Sequence, residues 1–205
     1  QLAEAGDYAV AISNPLSSVT SAIATLMVLV PPTVTIPPRS QIVGIGGRAV
    51  FNVTVAGHEP QSYQWRFKGA EINGATNPSL VIESAKLSDT GDYDVVVSNP
   101  VGTLTSAPAT LTVLEPPTIS LQPTRQAVTP GANVTFRITA TGAGPLSYQW
   151  RLNGVNIPGA TEATLTLLNV QPTDSGSYSV VVANAGGTVD SEVVSLVVSR
   201  GPLLL

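Results

Sequence analysis

The 205-residue chain has no cysteine, one histidine (His58) and few charges, which make up 11% of its residues. Without thiols no disulfide can form, and one imidazole cannot supply the usual zinc ligand sets, so packing alone must hold the fold. Nine basic residues against thirteen acidic ones leave no basic footprint for nucleic acid. No apolar run approaches about 18 residues, so we predict no membrane span in this segment.

An internal repeat with a period of 85 residues organises the sequence. Residues 62–66 (SYQWR) return at 147–151, and residues 89–93 (DTGDY) correspond to 174–178 (DSGSY). Residues 31–115 and 116–200 align without a gap and are identical at about 34 of 85 positions, far above chance. We therefore predict two complete units, 31–115 and 116–200, preceded at 1–30 by the last third of a unit and followed at 201–205 by the start of another.

Each unit is predicted to be a β-sandwich. Apolar residues alternate over short runs, as in 51–55, 63–67 and 93–97, which is the pattern of strands with one buried face. Breakers such as 44–47 (GIGG) and 99–102 (NPVG) separate the runs, and no stretch keeps a helical period. Short strands with turns at regular spacing indicate an all-β chain of tandem sandwiches.

A spaced set of residues occurs in both complete units: an aliphatic residue, a tryptophan twelve positions later, and an Asp-x-Gly-x-Tyr-x-Val segment. The residues are Val53, Trp65, Asp89, Tyr93 and Val95 in the first unit, Ile138, Trp150, Asp174, Tyr178 and Val180 in the second, and Tyr8 and Val10 in the partial unit. This set resembles the immunoglobulin-like I-set family. The resemblance implies tandem immunoglobulin-like domains with these residues in their cores.

The chain departs from the family pattern at both core cysteines, which are replaced by Val53 with Val95 and by Ile138 with Val180. In this respect it resembles the cysteine-free immunoglobulin-like repeats of large bacterial surface and secreted proteins. A disulfide in a small domain stabilises it by about 2–5 kcal/mol. Apolar burial around the tryptophan, at roughly 25 cal/mol per Å², must therefore offset the loss.

No catalytic, cofactor or metal site is predicted. The acidic segment 89–94 lacks the spacing of a calcium loop and is interpreted as a tyrosine corner. The glycines of 44–47 precede no helix, which excludes a phosphate loop. His58 has no second ligand or nucleophile beside it and is expected in a surface loop. All ten aromatic side chains are assigned inward positions, which disfavours a sugar-stacking platform.

Two tripeptides with the sequence NVT, at 52–54 and 133–135, match the acceptor pattern for N-glycosylation. Both fall at the predicted second strand of a unit. We interpret them there as chance matches.

The joints between units are predicted to be stiff. Pro31-Pro32 and Pro116-Pro117 stand at equivalent positions, and no Gly/Ser-rich linker intervenes. Consecutive prolines favour an extended backbone, so we expect a rod-like array. In the partial unit, strands from upstream or from a neighbouring molecule are needed to cover Val10, Ile12, Leu26 and Val28. Head-to-tail strand completion into a filament is one hypothesis for that cover.

The favoured function is a structural or adhesive spacer in an extracellular or cell-surface protein, with fibre formation as an extension of that role. The expected partners are neighbouring immunoglobulin-like domains of the same or an identical chain, or a protein or glycan ligand. One alternative is a ligand- or carbohydrate-binding module that uses variable loops such as 58–61 and 143–146. Another is an accessory region of a secreted enzyme, the segment itself not being catalytic.

Overall fold

A computed structural model describes residues 4–201, which form short β-strands throughout. Residues 4–30 contain β1 (Gly6–Tyr8), β2 (Ala11–Ser13), β3 (Ser18–Thr20) and β4 (Ala24–Leu26). The first repeat (31–115) contains β5 (Thr33–Ile36), β6 (Gln41–Gly44), β7 (Ala49–Asn52), β8 (Thr54–Ala56), β9 (Ser62–Phe67), β10 (Ala70–Glu71), β11 (Ser79–Ile82), β12 (Gly91–Asn99), β13 (Gly102–Thr105) and β14 (Ala109–Leu114). The second repeat (116–200) contains β15 (Thr118–Leu121), β16 (Gln126–Val128), β17 (Val134–Arg137), β18 (Thr139–Thr141), β19 (Ser147–Leu152), β20 (Val155–Asn156), β21 (Thr164–Leu167), β22 (Gly176–Asn184), β23 (Gly187–Asp190) and β24 (Val194–Val198).

Short 3-10 helices at Leu87–Asp89 and Pro172–Asp174 lead into β12 and β22. The predicted start of a further unit at 201–205 lies outside the described residues, except for Gly201.

The strands of each repeat form a large sheet and smaller two-stranded sheets. In the first repeat the large sheet runs β10-β9-β12-β14-β6 with β13 also paired to β12, while β7 pairs β11 and β5 pairs β8. The second repeat has the same arrangement, β20-β19-β22-β24-β16 with β23 on β22, together with β17-β21 and β15-β18. β6 pairs with β14, and β16 with β24, in parallel. The central pairs β9–β12 and β19–β22 are antiparallel. The predicted all-β fold of tandem sandwiches is confirmed.

Alternation of side chains along β12 explains how the two layers meet. Tyr93, Val95 and Val97 are buried, whereas the intervening residues point outward. Val95 lies opposite Trp65 of β9 in the register. The Trp65 ring in turn lies 6.2 Å from the ring of Phe51 on β7, measured between centroids, so the core fills the space between the two layers.

Residues 4–30 show what the same pattern does without covering strands. They form two antiparallel pairs, β1 with β4 and β2 with β3, which correspond by the 85-residue offset to β12–β14. Ile12 and Leu26 are exposed and Val28 is half-buried. The assignment of Val10 to a core is wrong, because its side chain is 58% exposed. The prediction that every aromatic ring packs inward is wrong for Tyr8, which is 52% exposed: among residues 4–201, no strand equivalent to β7 or β9 covers it.

Candidate functional site

The two tryptophans lie at the centres of the repeats, with their polar atoms satisfied. Trp65 and Trp150 are both completely buried. Their indole Nε1–H groups donate to backbone carbonyls twelve residues onward, at Asn77 and Glu162, each over 2.9 Å. A buried N–H without an acceptor costs stability, so each bond anchors the loop that approaches the ring.

An aromatic cluster surrounds each indole. In the first repeat the ring of Phe51 stacks on that of Tyr93 at 4.9 Å, and in the second Phe136 stacks on Tyr178 at the same distance. Phe67 adds a further ring contact at 4.8 Å to Tyr93, where the second repeat has Leu152. These rings face the core and are not arranged as a platform for a ligand.

The positions that hold cysteines in the family pattern are buried apolar sites here. Val53, Val95, Ile138 and Val180 are all buried. A serine close to Val95 on β12, and its equivalent close to Val180 on β22, do not stand out in the sequence alone. The hydroxyl of Ser106 accepts from the Val95 N–H over 3.1 Å and donates to the Ala107 carbonyl over 3.0 Å.

The same serine device recurs in the other units. Ser191 accepts from the Val180 N–H over 2.9 Å and donates to Glu192, and Ser21 accepts from the Val10 N–H over 3.1 Å and donates to Ala22. Ser106 and Ser191 are themselves buried. A serine at the same place in all three units was the signal in the sequence that could have revealed them.

We expect Ser191→Ala to destabilise the second repeat by about 1–3 kcal/mol, because the buried Val180 N–H would lose an acceptor that water cannot replace. Ser21→Ala is the matched control: it removes the same two hydrogen bonds at an exposed site, so its effect should be small. Denaturant unfolding of Ser191→Ala in a Trp65→Phe background, where Trp150 is the only tryptophan, measures the effect on the second repeat. The amide chemical shifts of residues 4–30 measure the effect of Ser21→Ala. Equal stability of Ser191→Ala and the parent chain would contradict the role of the hydroxyl.

The acidic segments before β12 and β22 close turns. The Asp174 carboxylate accepts from the Gln171 N–H over 2.7 Å, and the Asp89 carboxylate accepts from the Lys86 N–H over 2.8 Å. The Tyr178 hydroxyl donates to the Asp174 carbonyl over 2.9 Å, as a tyrosine corner requires. Burial raises the pKa of Tyr178, and the Asp174 charge raises it further, so this hydroxyl keeps its proton and its hydrogen bond.

The last residue of β12, Asn99, and the last residue of β22, Asn184, hold the segment that enters each repeat. The Asn99 Nδ2 donates to the carbonyl of Val30 over 2.7 Å and to that of His58 over 3.1 Å. The Asn184 Nδ2 donates to the carbonyls of Glu115 and Ala143 over 3.0 and 3.1 Å. Val30 and Glu115 are the residues that precede the proline pairs, so each amide group fastens the entering chain to the repeat that it enters.

The side-chain oxygen of each asparagine shapes the turn that follows it. The Asn99 Oδ1 accepts from the N–H groups of Val101 and Gly102, both over 3.1 Å, and the Asn184 Oδ1 accepts from the Gly186 N–H over 2.8 Å. A single side chain therefore bridges a turn and a residue 69 positions away in sequence. We name this set of contacts the asparagine clamp.

His58 serves the first clamp through its backbone. Its N–H donates to the Val30 carbonyl over 3.0 Å, and its own carbonyl accepts from Asn99. Its side chain is half-buried in the loop between β8 and β9. Beside this loop lies an open depression of about 280 Å³, lined by Pro60, Gln61, Ser62, Ser98, Asn99 and Pro100.

An ion pair crosses the outer face of the large sheet in the first repeat. The Arg66 guanidinium donates to both oxygens of Asp94, over 2.7 and 2.9 Å, from directly opposite positions on β9 and β12. The hydrogen bond to Asp94 raises the pKa of Arg66, and the carboxylate charge adds to it. In the second repeat Ser179 replaces the aspartate, and Arg151 instead contacts Asn156 and Asp190.

The described residues were also compared with the requirements of a metal site and of a membrane span. Across residues 4–201, no three histidine, aspartate or glutamate side chains come together as a group that could hold a metal ion. In the same part of the chain, no helix is long and apolar enough to cross a membrane.

Comparison with known families places the chain in a class. The immunoglobulin domain family matches residues 31–99 and 116–184, which together make up more than half of the sequence. The chain therefore belongs to the immunoglobulin domain family, and it contains two copies of this domain in tandem.

Individual relatives share part of the sequence. Hemicentin-1 of Mus musculus is 31% identical over 189 residues, and roundabout homolog 1 of Mus musculus is 28% identical over 222. These matches cover 85% and 97% of this chain but 3% and 14% of the two relatives. The muscle M-line assembly protein unc-89 of Caenorhabditis elegans is 27% identical over 223 residues, which cover 93% of this chain and 3% of that protein. All three are animal proteins, and they give no support to the predicted bacterial affiliation.

Two solved structures share the fold. The titin I-band fragment I67-I69 has a TM-score of 0.68 at 24% identity, covering 82% of this chain and 65% of that one. Drosophila OTK extracellular domains 3-5 have a TM-score of 0.62 at 21% identity, covering 97% and 72%.

Proposed function

We propose that this segment is a structural or adhesive spacer of an extracellular or cell-surface protein, in which domains bounded at 31–115 and 116–200 are joined stiffly. The observation that supports the proposal most is the asparagine clamp. One residue, Glu115, separates Leu114 at the end of β14 from Pro116, and its carbonyl is bound by Asn184. Both the proline pair and the hydrogen bond restrict rotation at the joint.

Two further features support a spacer. Each repeat has its own buried core around its own tryptophan, so each should stay folded while its neighbour is strained. The buried rings and their hydrogen-bonded polar atoms stabilise each repeat. The clamp restrains the chain where it enters the repeat. The relatives are long proteins of which this chain matches a small part, which fits a module used in arrays.

Binding through the loops is the second candidate function, and the depression beside His58 is the feature that favours it. Its lining contains neither a charged nor an aromatic side chain. Ligand sites normally combine an apolar enclosure with a few aimed polar groups, and sugar sites usually stack an aromatic ring on the ligand. We therefore prefer the spacer.

Removal of the clamp should loosen the joint between the repeats. Because the chain has no cysteine, spin labels can be placed uniquely at Thr103→Cys and Thr188→Cys, equivalent exposed positions on β13 and β23. We expect a narrow distribution of label-to-label distances in the parent chain and a broader one in Asn184→Ala, which loses three hydrogen bonds worth about 0.5–1.5 kcal/mol each, two from Nδ2 and one at Oδ1. Double electron–electron resonance measures both distributions.

Two variants control this experiment. Asn184→Asp keeps the oxygen that accepts from Gly186 but lacks the donors, so it should broaden the distribution without opening the turn. Asn99→Asp removes the equivalent bond to Val30, outside the segment between the labels, but keeps the oxygen that shapes the turn before Thr103, so it should leave the distribution narrow. A broad distribution in the parent chain would overturn the stiff-spacer proposal.

A further inference from the structure

The two NVT tripeptides have a common geometry that the sequence could not show. Asn52 and Thr54 are exposed while the intervening Val53 is buried. Asn133 and Thr135 are likewise exposed around the buried Val134. In both tripeptides the asparagine and the threonine therefore point to solvent together, because side chains two positions apart share a face of an extended chain.

The amide nitrogens of these asparagines are also available. The Asn133 Oδ1 accepts from the Asn169 N–H over 3.0 Å, which leaves the nitrogen side of that amide group unused. In the part of the chain that the structure describes, no hydrogen bond involves the side chain of Asn52. The clamp residues differ sharply, since Asn99 and Asn184 each use Nδ2 for two hydrogen bonds.

The surrounding sheet face carries exposed hydroxyl groups as well as charges. Thr135 lies opposite Thr166, and Thr118 opposite Thr141, all of them exposed. The Arg48–Glu83 ion pair lies on the same face in the first repeat, and the exposed Arg137 lies on it in the second. The face is therefore polar and open to solvent, so it has room for a hydrated oligosaccharide.

We propose that Asn52 and Asn133 are acceptors for N-linked oligosaccharides, which cover this face in both repeats. The inference rests on the extracellular placement in the proposed function, since the donor is a lipid-pyrophosphate oligosaccharide of a eukaryotic secretory pathway. The asparagine Nδ2 attacks the anomeric carbon of the donor, and a C–N bond forms as the C–O bond to the pyrophosphate breaks. The electron pair leaves with the lipid pyrophosphate, and the amide nitrogen gives up one proton to the transferase.

The structure shows that the folded chain can carry a glycan at each of these asparagines. An oligosaccharide is bulky and strongly hydrated, so the folded chain can keep it only where the modified nitrogen reaches solvent. Modification of Asn133 also leaves its Oδ1 free to go on accepting from Asn169. Neither site removes a buried contact, and the glycosylated chain should be at least as stable as the bare chain.

The test is secretion of the chain from animal cells behind a cleavable signal peptide. We expect the secreted chain to carry two glycans, both of which peptide N-glycosidase removes. Asn52→Gln and Asn133→Gln should each lose one glycan, and the double variant should lose both. Thr54→Val should abolish the first site and Thr54→Ser should keep it. Asn77-Pro78-Ser79 is an internal negative control, because proline in the middle position blocks transfer.

Two results would overturn the inference. One is a chain whose signal peptide has been cleaved but whose mass shows no glycan. The other is a glycosylated chain whose unfolding temperature falls below that of the enzymatically deglycosylated chain. Neither result bears on the spacer, because the distance measurements use unglycosylated protein from bacteria, so the two proposals fail independently.

Discussion

Trp65→Ala is expected to lower the free energy of unfolding of the first repeat by about 3–5 kcal/mol, a large part of the roughly 5–15 kcal/mol that holds a small domain together. The indole is fully buried, contacts Phe51, and bonds the Asn77 carbonyl, so its removal leaves a cavity and an acceptor without its donor. No disulfide can compensate. We expect the first repeat to unfold at moderate temperature in this variant.

The chain contains its own control for this experiment. It has two tryptophans, one in each repeat, so fluorescence in Trp65→Ala reports on Trp150 and the second repeat alone. That transition should match the parent chain, while loss of strand signal in circular dichroism at lower temperature reports on the first repeat. Trp65→Phe, which keeps a ring but not the N–H, should cost less. A first repeat of unchanged stability in Trp65→Ala would contradict its central role.

The fold could be predicted from the sequence because it depends on local and periodic signals. Alternation in 93–97 determines which side chains of β12 face inward, and the 85-residue offset transfers that assignment to β22. The core assignments of Tyr8 and Val10 were wrong, because they were carried over from the equivalent residues of the complete units, whose surroundings they do not share.

The hydrogen bonds of the candidate site could not be predicted, because they depend on where loops run. Asn99 was recognised only as a turn residue, and its bond to Val30 joins atoms 69 residues apart in sequence. Gln64 is similar: it binds the carbonyls of Trp65 and Ile72, as Gln149 binds those of Trp150 and Ile157. Identity between the repeats marks such residues as shared, but the acceptor is known only once the backbone is placed.

The buried serines show how the cores manage without sulfur. On β12 the backbone N–H of Val95 donates to the Ser106 hydroxyl, and on β22 that of Val180 donates to the Ser191 hydroxyl. The remaining volume is filled by aliphatic side chains at the family's cysteine positions. The bridge could therefore be restored without disturbing these polar contacts.

Accordingly, Val53→Cys with Val95→Cys is expected to form a disulfide on oxidation and to stabilise the first repeat. The two positions enclose a segment of about 42 residues, for which the loss of chain entropy in the unfolded state predicts a gain of about 2–4 kcal/mol, reduced by any strain in the bridge. Chemical denaturation of the oxidised and the reduced double variant measures the gain. The second repeat, unchanged in the same molecule, should unfold at the same denaturant concentration in both.

The single-cysteine variants, together with the number of reactive thiols in the oxidised double variant, explain the outcome if no stabilisation is seen. Val53→Cys and Val95→Cys alone remove one methyl group each from a packed core, so each should be slightly less stable than the parent chain, and neither should respond to reductant. If the oxidised double variant folds but both thiols still react with an alkylating reagent after unfolding, the two side chains do not meet across the sandwich. The assignment of Val53 and Val95 to the family's cysteine positions would then be wrong, although both residues are buried.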